Sequence, residues 1–273
     1  MVKSIKPKSR FLSRYIKDFS VFDKDCDLNI NFTAFPHIGP ALALFKNATI
    51  TIKKQNLNIF PTQSIHYNTV VLGKYTSPVV ITYNGYVDEI SVNFTPLGIN
   101  YFFATDYQTI APENFQPLQD KTWIDFAPKI FSSTDPKDQV NLFEDYLSSR
   151  FRERNLDRLQ QAVDLFLDQE TDHQVSKVAG TIGMNEKTLR RKFNRFVGCS
   201  PVQFKRIVRF RHAIDIKRKN DEPLTFTQLC YESLFYDSSH FTKEYKRFTG
   251  KNPKSFFNNV TFLGNSEYPY IFL

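Results

Sequence analysis

The stretch FNRFVGCSP at residues 193–201 is repeated, 52 residues later, as YKRFTGKNP at residues 245–253. Each copy holds an aromatic residue, an Arg-Phe pair, a glycine and a polar residue before proline, at the same spacing. Glycine takes the left-handed conformation that ends a helix at low cost. A polar residue followed by proline is typical of the start of the next helix. The repeat therefore predicts that each copy closes one helix and opens another.

The residues before each copy predict the helix that ends there. Asn185 and Asp237 are good N-cap residues, and a shorter helix is predicted ahead of each, over about 175–182 and 226–233. Gly183 closes the first turn. Two short helices, a tight turn and a polar second helix describe a helix-turn-helix unit, present here twice. In each second helix, aromatic and aliphatic residues recur at i, i+4 and i+7 and predict a buried stripe: Leu189, Phe193 and Phe196, then Phe241, Tyr245 and Phe248.

The positive charge of the chain is concentrated in this region. The whole chain carries a net charge of +8. Residues 174–257 contain 18 Lys and Arg against 7 Asp and Glu, a net +11, so the remainder is slightly acidic. Such a distribution is typical either of a solvated charged surface or of a polyanion-binding domain attached to another domain. The segment 201–218, with a partly apolar face, is predicted to join the two units as a rigid spacer.

The N-terminal part predicts a different kind of fold. Up to about residue 95, short runs rich in β-branched and aromatic residues are punctuated by Pro, Gly and Asn, which favours a sandwich or a small barrel. These runs are 29–35, 41–46, 49–53, 66–72, 78–83 and 89–95. Helices are predicted next, over 97–104, 123–132, 137–152 and 155–168.

The predicted fold class is α+β with two domains and a tail. Residues 1–168 form a β-rich N-terminal domain that becomes helical after about 95, and residues 172–258 form an all-α domain of two helix-turn-helix units joined by a long helix. Residues 259–273 form a C-terminal tail. Its end, YPYIFL at 268–273, is too apolar to float freely in water and is predicted to dock on a domain or on a partner chain.

No residue pattern predicts catalysis, a metal site or a cofactor. The three cysteines are few and far apart, without a CxxC motif or a disulfide framework. His37 and His66 are isolated and are interpreted as loop or core histidines. There is no P-loop and no GxSxG motif. The N-terminus MVKSIKPKSR lacks the apolar core of a signal peptide, and no run is long enough to span a membrane, so a cytoplasmic protein is expected.

Two segments resemble the AraC/XylS family of bacterial regulators, over roughly residues 172–258. LFYDSSHFTKEYKRFTGKNPKSF at 234–256 resembles the family signature G-F-x-D-x-S-H-F-x-R-x-F-K-R-x-x-G-x-x-P. VAGTIGMNEKTLRRKFNRFVGCSP at 178–201 is similar to the first motif of the family. The helix between them has Arg209 and Ala213 at the places that the family leads us to expect.

The resemblance implies that each second helix enters a major-groove segment of double-stranded DNA, with the connecting helix holding the two about one helical turn apart. It implies base contacts from Lys187, Thr188, Arg190 and Arg191 in the first unit and from Ser238, Ser239 and Lys243 in the second. It implies phosphate contacts from Ser200, Lys205, Arg206, Arg209 and Lys246. The implied partners are a possible small-molecule effector, a second copy of the chain and, for an activator, RNA polymerase. The implied location is the bacterial nucleoid.

Two departures from the family pattern fall in the second unit. Leu234 stands where the family has a glycine, at a turn that favours positive φ. Lys243 stands where an arginine is usual, and it lacks the bidentate fork that reads guanine. We therefore expect the first unit, 175–197, to supply most of the base reading and the second, 226–248, to anchor on the backbone. His240 is expected to pack or cap.

Three readings of the N-terminal half stay open. In this family the domain often binds an effector or mediates dimerisation, and the resemblance implies a cupin-like β-barrel for it. The stretch EISVNFTPLGIN at 89–100 also resembles a branch of the family without a well-defined ligand. The half is alternatively an interaction module, or part of a DNA-repair enzyme that uses Cys26. Ordinary core packing is favoured over a ligand pocket for Tyr101, Phe102 and Phe103.

Overall fold

The computed structural model describes residues 2–22, 29–73, 75–118, 120–219, 225–235, 237–262 and 269–272. Their strands are β1 (Val2–Ile5), β2 (Ile16–Phe22), β3 (Asn29–Ala34), β4 (Ala41–Lys46), β5 (Ala48–Lys53), β6 (Asn56–Pro61), β7 (Tyr67–Leu72), β8 (Val79–Asn84), β9 (Asp88–Phe94), β10 (Phe115–Pro117), β11 (Thr261–Phe262) and β12 (Pro269–Phe272). Their α-helices are α1 (Tyr107–Ile110), α2 (Lys121–Ile130), α3 (Pro136–Arg150), α4 (Asp157–Leu167), α5 (Val175–Thr181), α6 (Glu186–Phe196), α7 (Pro201–Lys219), α8 (Phe226–Glu232), α9 (Ser238–Thr249) and α10 (Pro253–Asn259).

The strands form two six-stranded sheets that pack face to face. One sheet, here sheet A, has the order β1-β2-β9-β4-β7-β10, and the other, sheet B, has the order β11-β12-β3-β8-β6-β5. Buried residues of both sheets, such as Phe45 of β4 and Ile59 of β6, belong to one apolar cluster between them. The predicted β-rich N-terminal domain and all-α C-terminal region are confirmed. Among the described strands and α-helices, those without a counterpart in the sequence prediction are β1, β2, β6, β10, β11, β12 and α1.

The predicted helix over 97–104 is wrong. The chain forms only a 3₁₀ turn at Gly98–Tyr101. A Cβ on Gly98 would lie 1.9 Å from the carbonyl oxygen of Tyr15, so this turn packs too closely on the β2 side for a regular helix. The buried Asn100 amide also bonds to backbone groups of the segment and replaces helical hydrogen bonds.

Helices α2 to α4 cover sheet A and extend its core toward the C-terminal helices. The Trp123 ring of α2 stacks on Phe103 at 5.1 Å, and Phe143 of α3 contacts Phe19 of β2 at 5.5 Å. One apolar cluster continues from these rings through α4 into α5, α6 and α7. Tyr101, Phe102 and Phe103 belong to that cluster, which agrees with core packing.

The long helix α7 packs against both helix-turn-helix units. Near its start Phe204 lies 5.7 Å from Phe193 of α6, and further along Phe210 lies 5.1 Å from Tyr245 of α9. The 19 residues of α7 span about 28 Å at the rise of an α-helix. This arrangement confirms the prediction that two units are joined by a long helix.

The C-terminal tail docks on the N-terminal half. Strand β12 pairs antiparallel with β3, with Tyr270 opposite Ala34 and Phe272 opposite Phe32. Successive side chains of a strand point to opposite faces. Tyr270 therefore joins the apolar cluster between the sheets, while Ile271 joins the cluster of the second helix-turn-helix unit.

A second contact joins the same two parts. The buried Arg211 of α7 donates hydrogen bonds to the carbonyl oxygens of Phe35 and Pro36, at 2.7 and 2.6 Å. The Phe35 ring lies 5.1 Å from the ring of Phe256 in α10. None of the helices in the described ranges is long and apolar enough to cross a membrane.

Candidate DNA-binding surface

The first helix-turn-helix unit consists of α5, a short turn and α6. Gly183 adopts a φ of 65° in the turn, as expected for the residue that closes it. The N–H groups of Gly183 and Met184 donate to the carbonyls of Gly180 and Ala179 and complete the end of α5. Asn185 caps α6, since its side chain accepts a hydrogen bond from the backbone N–H of Thr188 at 2.8 Å.

The second unit repeats this geometry with α8 and α9, although its turn is one residue longer. Leu234 takes the place of Gly183 and adopts a φ of 60°, so the left-handed turn is kept despite the side chain. Its N–H and that of Phe235 donate to carbonyls that lie three and five residues earlier, as in the first unit. Asp237 then caps α9 through the backbone N–H of His240 at 2.7 Å. The His240 ring packs 5.6 Å from the ring of Phe235.

The apolar stripes of α6 and α9 face inward, as predicted. Leu189 and Phe193 of α6 are fully buried, and the buried residues of α9 include Phe241, Tyr245 and Phe248. Phe196 is the exception, because it is only half-buried at the end of α6, where the guanidinium of Arg195 lies 5.1 Å from its ring. The predicted left-handed glycines after both helices are also present, with φ of 86° at Gly198 and 72° at Gly250.

The outer faces carry the side chains that the sequence predicts for base contacts. On α6, Lys187, Arg190 and Arg191 are exposed and Thr188 is half-buried. On α9, Ser238, Ser239 and Lys243 are exposed. Both outer faces are rich in hydrogen-bond donors, as recognition of base edges and phosphates requires.

Acidic residues are almost absent from these faces. The acid within α9, Glu244, is buried, and its Oε2 lies 3.7 Å from Nε of Arg206 in α7. Glu186, the acid of α6, occupies the first helical turn, where the helix dipole favours a negative charge.

The predicted phosphate contacts differ in their surroundings. Lys246 is exposed, and Arg206 is half-buried beside Glu244. Nζ of Lys205 lies 2.9 Å from Asp172 and also donates to the carbonyl of His173, while Nη1 of Arg209 lies 3.6 Å from Asp172. A phosphate at Lys205 and Arg209 has to displace Asp172.

Ser200 is the remaining predicted phosphate contact. Its Oγ caps α7, because it accepts a hydrogen bond from the backbone N–H of Gln203 at 3.2 Å. The hydroxyl proton stays free to point outward, so capping and a phosphate contact are compatible.

The N-terminal half also contacts the first recognition helix. Nε of Arg195 lies 2.8 Å from Oδ2 of Asp106, the residue that caps α1. The Asn100 amide donates to the carbonyl of Phe196 at 2.8 Å. Side chains of α1 and α6 then line one open groove, formed by Asp106, Gln108, Thr109, Lys187, Arg190, Arg191, Asn194 and Arg195. Sequence reasoning missed this neighbour, because nothing in the Asp106–Thr109 helix start indicates what packs beside it.

A cavity of about 130 Å³ lies between the two sheets, where the sequence predicted no site. Its wall on sheet A carries the buried polar residues Ser20, Glu89, Ser91 and Asn93, and Asp18 of β2 continues this polar ladder beyond the cavity lining. Polar residues at every second position of a strand normally face solvent. The sequence pattern therefore gave no indication that these residues are buried at a cavity.

The charged forms of two groups at this cavity are disfavoured. Burial raises the pKa of Glu89 from 4.5 to about 7, although hydrogen bonds from Tyr83 and Ser91 act against the rise. Burial, together with the charges of Arg211 and Lys17, lowers the pKa of His37 well below 6.5. His37 lies in the loop before β4 with Nδ1 within 3.3 Å of both backbone polar atoms of Gly39, in agreement with a loop histidine.

Other reactive groups form no second site in the described part of the chain. Cys199 is half-buried and Cys230 is buried, and neither is in a disulfide within the described part of the chain. Cys26, the candidate of the repair-enzyme reading, lies outside the described residues. Within the described ranges, no group of three or more His, Cys, Asp and Glu residues is placed to hold a metal ion.

Comparison with known families identifies the helical region. Residues 178–259, from within α5 to the end of α10, match a family model described as a helix-turn-helix domain. The C-terminal part of the chain therefore contains a helix-turn-helix domain, as the sequence motifs predict. Such domains bind DNA, which supports the DNA-binding regulator that the motifs indicate. No curated protein sequence matches the chain significantly.

Solved structures of ToxT from Vibrio cholerae are similar in fold. One aligns over 88% of this chain and 98% of its own, with a TM-score of 0.50 and 10% sequence identity. Another, wild-type ToxT bound to an unsaturated fatty acid, aligns over 91% of this chain and 97% of its own, with a TM-score of 0.47 and 12% identity. At such identities the first likeness shows the fold alone, and it extends over both halves of the chain.

Proposed function

We propose that this regulator reads two successive major-groove segments with α6 and α9 and that its N-terminal half senses a small molecule. One observation supports the DNA-reading part of the proposal. The outer faces of α6 and α9 both expose cationic side chains, whereas the acidic Glu244 of α9 is buried beside Arg206. Two such faces on one chain, fixed to a common spacer helix, match the geometry of a helix-turn-helix protein that spans a helical turn of DNA.

The proposed base contacts are the exposed donors of both helices. Arg190 and Arg191 present planar guanidinium groups that can bind O6 and N7 of guanine together. Lys187 and Thr188 extend this face toward the capped end of α6. In the second unit Ser238, Ser239 and Lys243 offer weaker, monodentate base contacts. Lys246 and Arg206 are proposed to contact the phosphates of the DNA backbone.

The proposal keeps the division into residues 1–168, 172–258 and 259–273. It gives the N-terminal domain a sensing or dimerising role and assigns no catalysis to either domain. The partners are double-stranded DNA, a small-molecule effector and a second copy of the chain, with RNA polymerase as a further partner of an activator. The site of action is the bacterial nucleoid in the cytoplasm.

The sensing part rests on the cavity between the sheets. Ligand sites are concave, largely apolar and equipped with few convergent polar groups. The cavity fits that description, because Phe32, Ile81 and Tyr83 face a short row of polar side chains across it.

Selection of bound fragments from a random DNA library by the full chain tests the DNA-reading part. We expect enriched sites with two motifs whose centres lie about one helical turn, roughly 10 base pairs, apart. The variants R190A and K243A should each weaken the selection at one motif and leave the other unchanged. Enrichment of a single motif that neither variant affects would contradict the assignment of α6 and α9.

A further inference from the structure

The two walls of the interior cavity differ in chemistry. Sheet A contributes the polar residues Ser20, Glu89, Ser91 and Asn93 together with apolar residues such as Phe22 and Leu72, whereas the lining residues of sheet B are aromatic or aliphatic throughout. Its volume of about 130 Å³ is close to that of cavities that hold one benzene molecule, about 150 Å³. The cavity therefore suits a molecule with one small apolar body and one polar end.

Glu89 is the acidic group of the polar wall, and its hydrogen-bond partners are neutral. The hydroxyl of Tyr83 donates to its Oε2 at 2.6 Å, and Oγ of Ser91 donates to its Oε1 at 2.8 Å. The other carboxylate of the ladder, Asp18, is compensated differently, because it lies 3.9 Å from Nζ of Lys6 and accepts a hydrogen bond from Asn93. Glu89 thus keeps a buried carboxylate that no Lys or Arg of the described chain neutralises.

The charges of Arg211 and Lys17 act on His37, and that of Arg211 acts on Tyr75, but neither cation is among the groups that shift the pKa of Glu89. Among the described residues that line the cavity there is no Lys or Arg. His37 is kept neutral at physiological pH, since burial lowers its pKa well below 6.5. Burial raises the pKa values of Tyr75 and Tyr83, so both phenols also stay neutral. A carboxylate in such surroundings gains strongly from a cation that enters with a ligand.

Aromatic rings from both sheets line the cavity, with Phe32 and Tyr83 on sheet B and Phe22 on sheet A, beside Glu89. The Tyr83 ring lies 5.2 Å from the Phe22 ring and 6.3 Å from the Phe32 ring, and Tyr75 also lines the cavity. Faces of such rings attract cations, and the attraction is strongest when water is excluded. The apolar part of an organic cation is buried favourably against the same rings.

We propose that this cavity binds a small organic amine in its protonated form, with the ammonium group against Glu89 and the apolar group against the rings of Phe22, Phe32 and Tyr83. The inference rests on the proposed sensing function and names the ligand class of that site. A carboxylic acid is disfavoured there, because it would bring a second negative charge to Glu89. A neutral alcohol of the same shape fills the cavity but leaves the carboxylate unpaired.

Three probes of one shape and different charge test the proposal on the full chain by isothermal titration calorimetry. The probes are benzylamine, benzyl alcohol and benzoate, each at millimolar concentrations. We expect benzylamine to bind at least tenfold more tightly than benzyl alcohol at pH 8 and benzoate not to bind. Equal or tighter binding of benzoate overturns the amine assignment and leaves ligand sensing in place.

The pH dependence offers a second readout without any substitution. Because the pKa of Glu89 is about 7, the carboxyl is mostly ionised at pH 8 and mostly protonated at pH 6. Benzylamine affinity should therefore fall about tenfold between pH 8 and pH 6, and binding at pH 6 should release a proton to the buffer. The affinity of benzyl alcohol should fall little over this range, and an equal fall for both probes overturns the pairing with Glu89.

Two variants separate the charge from the shape of the site. Glu89→Gln keeps the volume and removes the charge, so it should abolish the preference for benzylamine over benzyl alcohol. Tyr83→Phe keeps the ring but removes a hydrogen bond that lowers the pKa of Glu89, so the preference should persist and shift to higher pH. An unchanged preference in Glu89→Gln overturns the proposal, and so does the failure of all three probes to bind the wild-type chain. If none of the three probes binds, the proposed sensing role of the cavity is contradicted as well. The DNA-reading function is tested separately, by the selection of DNA sites with two motifs.

Discussion

The Nε atom of Arg195, at the end of the first recognition helix, lies 2.8 Å from Oδ2 of Asp106 in the N-terminal half. Burial alone raises the pKa of Asp106, but hydrogen bonds from Arg195 and from Thr109 outweigh it and lower the pKa below its usual range. The Asp106 carboxylate therefore holds two elements at once, because it caps α1 and pairs with α6.

Three substitutions separate these two roles of Asp106. Asp106→Ala removes the cap and the ion pair and should lower the free energy of unfolding by about 1 kcal/mol. Asp106→Asn keeps a good N-cap, and Arg195→Ala removes a largely exposed partner, so each should cost about 0.5 kcal/mol or less. Urea denaturation of the three variants measures this order, and an Arg195→Ala loss as large as that of Asp106→Ala would contradict it.

The exposed arginines of α6 should dominate base recognition. Arg190→Ala and Arg191→Ala are expected to weaken specific binding by about 1–3 kcal/mol wherever the side chain reads a guanine. Lys243→Ala should cost less, because a monodentate lysine discriminates between bases less than an arginine fork, and it should also reduce the dependence of affinity on salt. Gel-shift titrations at several salt concentrations measure both quantities. Lys137→Ala, which removes one exposed charge from α3, is the control and should change neither.

The turn of the second unit should carry backbone strain at Leu234. A left-handed conformation costs a residue with a Cβ roughly 1–2 kcal/mol more than it costs glycine. Leu234→Gly should therefore be more stable than Leu234→Ala by about 1 kcal/mol, since both lose the leucine side chain. Gly183→Ala should lose about the same amount, because a Cβ there meets only Arg158 at 3.7 Å and the cost lies in the backbone. Thermal unfolding provides the comparison, and equal stability of the two Leu234 variants would exclude strain.

The tail strand should stabilise the contact between the two domains through one side chain. Ile271 is 5% exposed and packs with the second helix-turn-helix unit, so Ile271→Ala should lower the free energy of unfolding by about 2–4 kcal/mol. The neighbouring Phe272 is 53% exposed, and Phe272→Ala should cost about 1 kcal/mol or less. The difference is measured by denaturation of the full chain. Similar losses in both variants would mean that backbone pairing with β3, rather than the side chain, carries the stability.

The buried carboxyl of Glu89 should make stability depend on pH. Between about pH 4.5 and pH 7 the folded protein keeps a proton that the unfolded chain has lost. The free energy of unfolding should therefore fall as pH rises through this window, by roughly 3 kcal/mol, and level off above it. His37 acts in the opposite sense, because its lowered pKa means that stability is lost as pH falls below 6.5.

Glu89→Gln isolates this effect, since both proteins keep His37. The difference in unfolding free energy between wild type and variant should follow a titration curve that ends near pH 7. Parallel stability profiles of the two proteins from pH 5 to pH 8 would show that Glu89 is not the group responsible.

The C-terminal domain was largely predictable from the sequence because its signals are local. A glycine after α6 and α9, an N-cap at Asn185 and Asp237, and apolar residues at helical spacing each act within one or two turns of chain. Even the departure at Leu234 was visible, although the sequence did not show that the turn keeps its left-handed form. Helical periodicity alone predicted which face of α6 and of α9 is buried and which is exposed.

The N-terminal half was predictable only as a class. Runs of β-branched residues indicated strands, but β2 was missed, because its Asp18 and Ser20 point inward into a polar ladder. The partners of these residues lie on β9, some 70 positions away, so no local pattern records them. The helix predicted over 97–104 failed for a similar reason, since the contact of Gly98 with the Tyr15 carbonyl is tertiary.

The sequence by itself thus determined the two helix-turn-helix units, their buried stripes and the cations that face outward, because backbone propensity and helical spacing are local properties. Only the tertiary structure placed Asp106 beside Arg195, laid β12 along β3 and enclosed Glu89 beside aromatic rings. Each of these depends on residues that are distant in the chain and come together when the sheets and helices pack. The repeat of FNRFVGCSP and YKRFTGKNP therefore identifies the two helix-turn-helix units. The fold of the N-terminal half, and its contacts with these units, depend on tertiary packing.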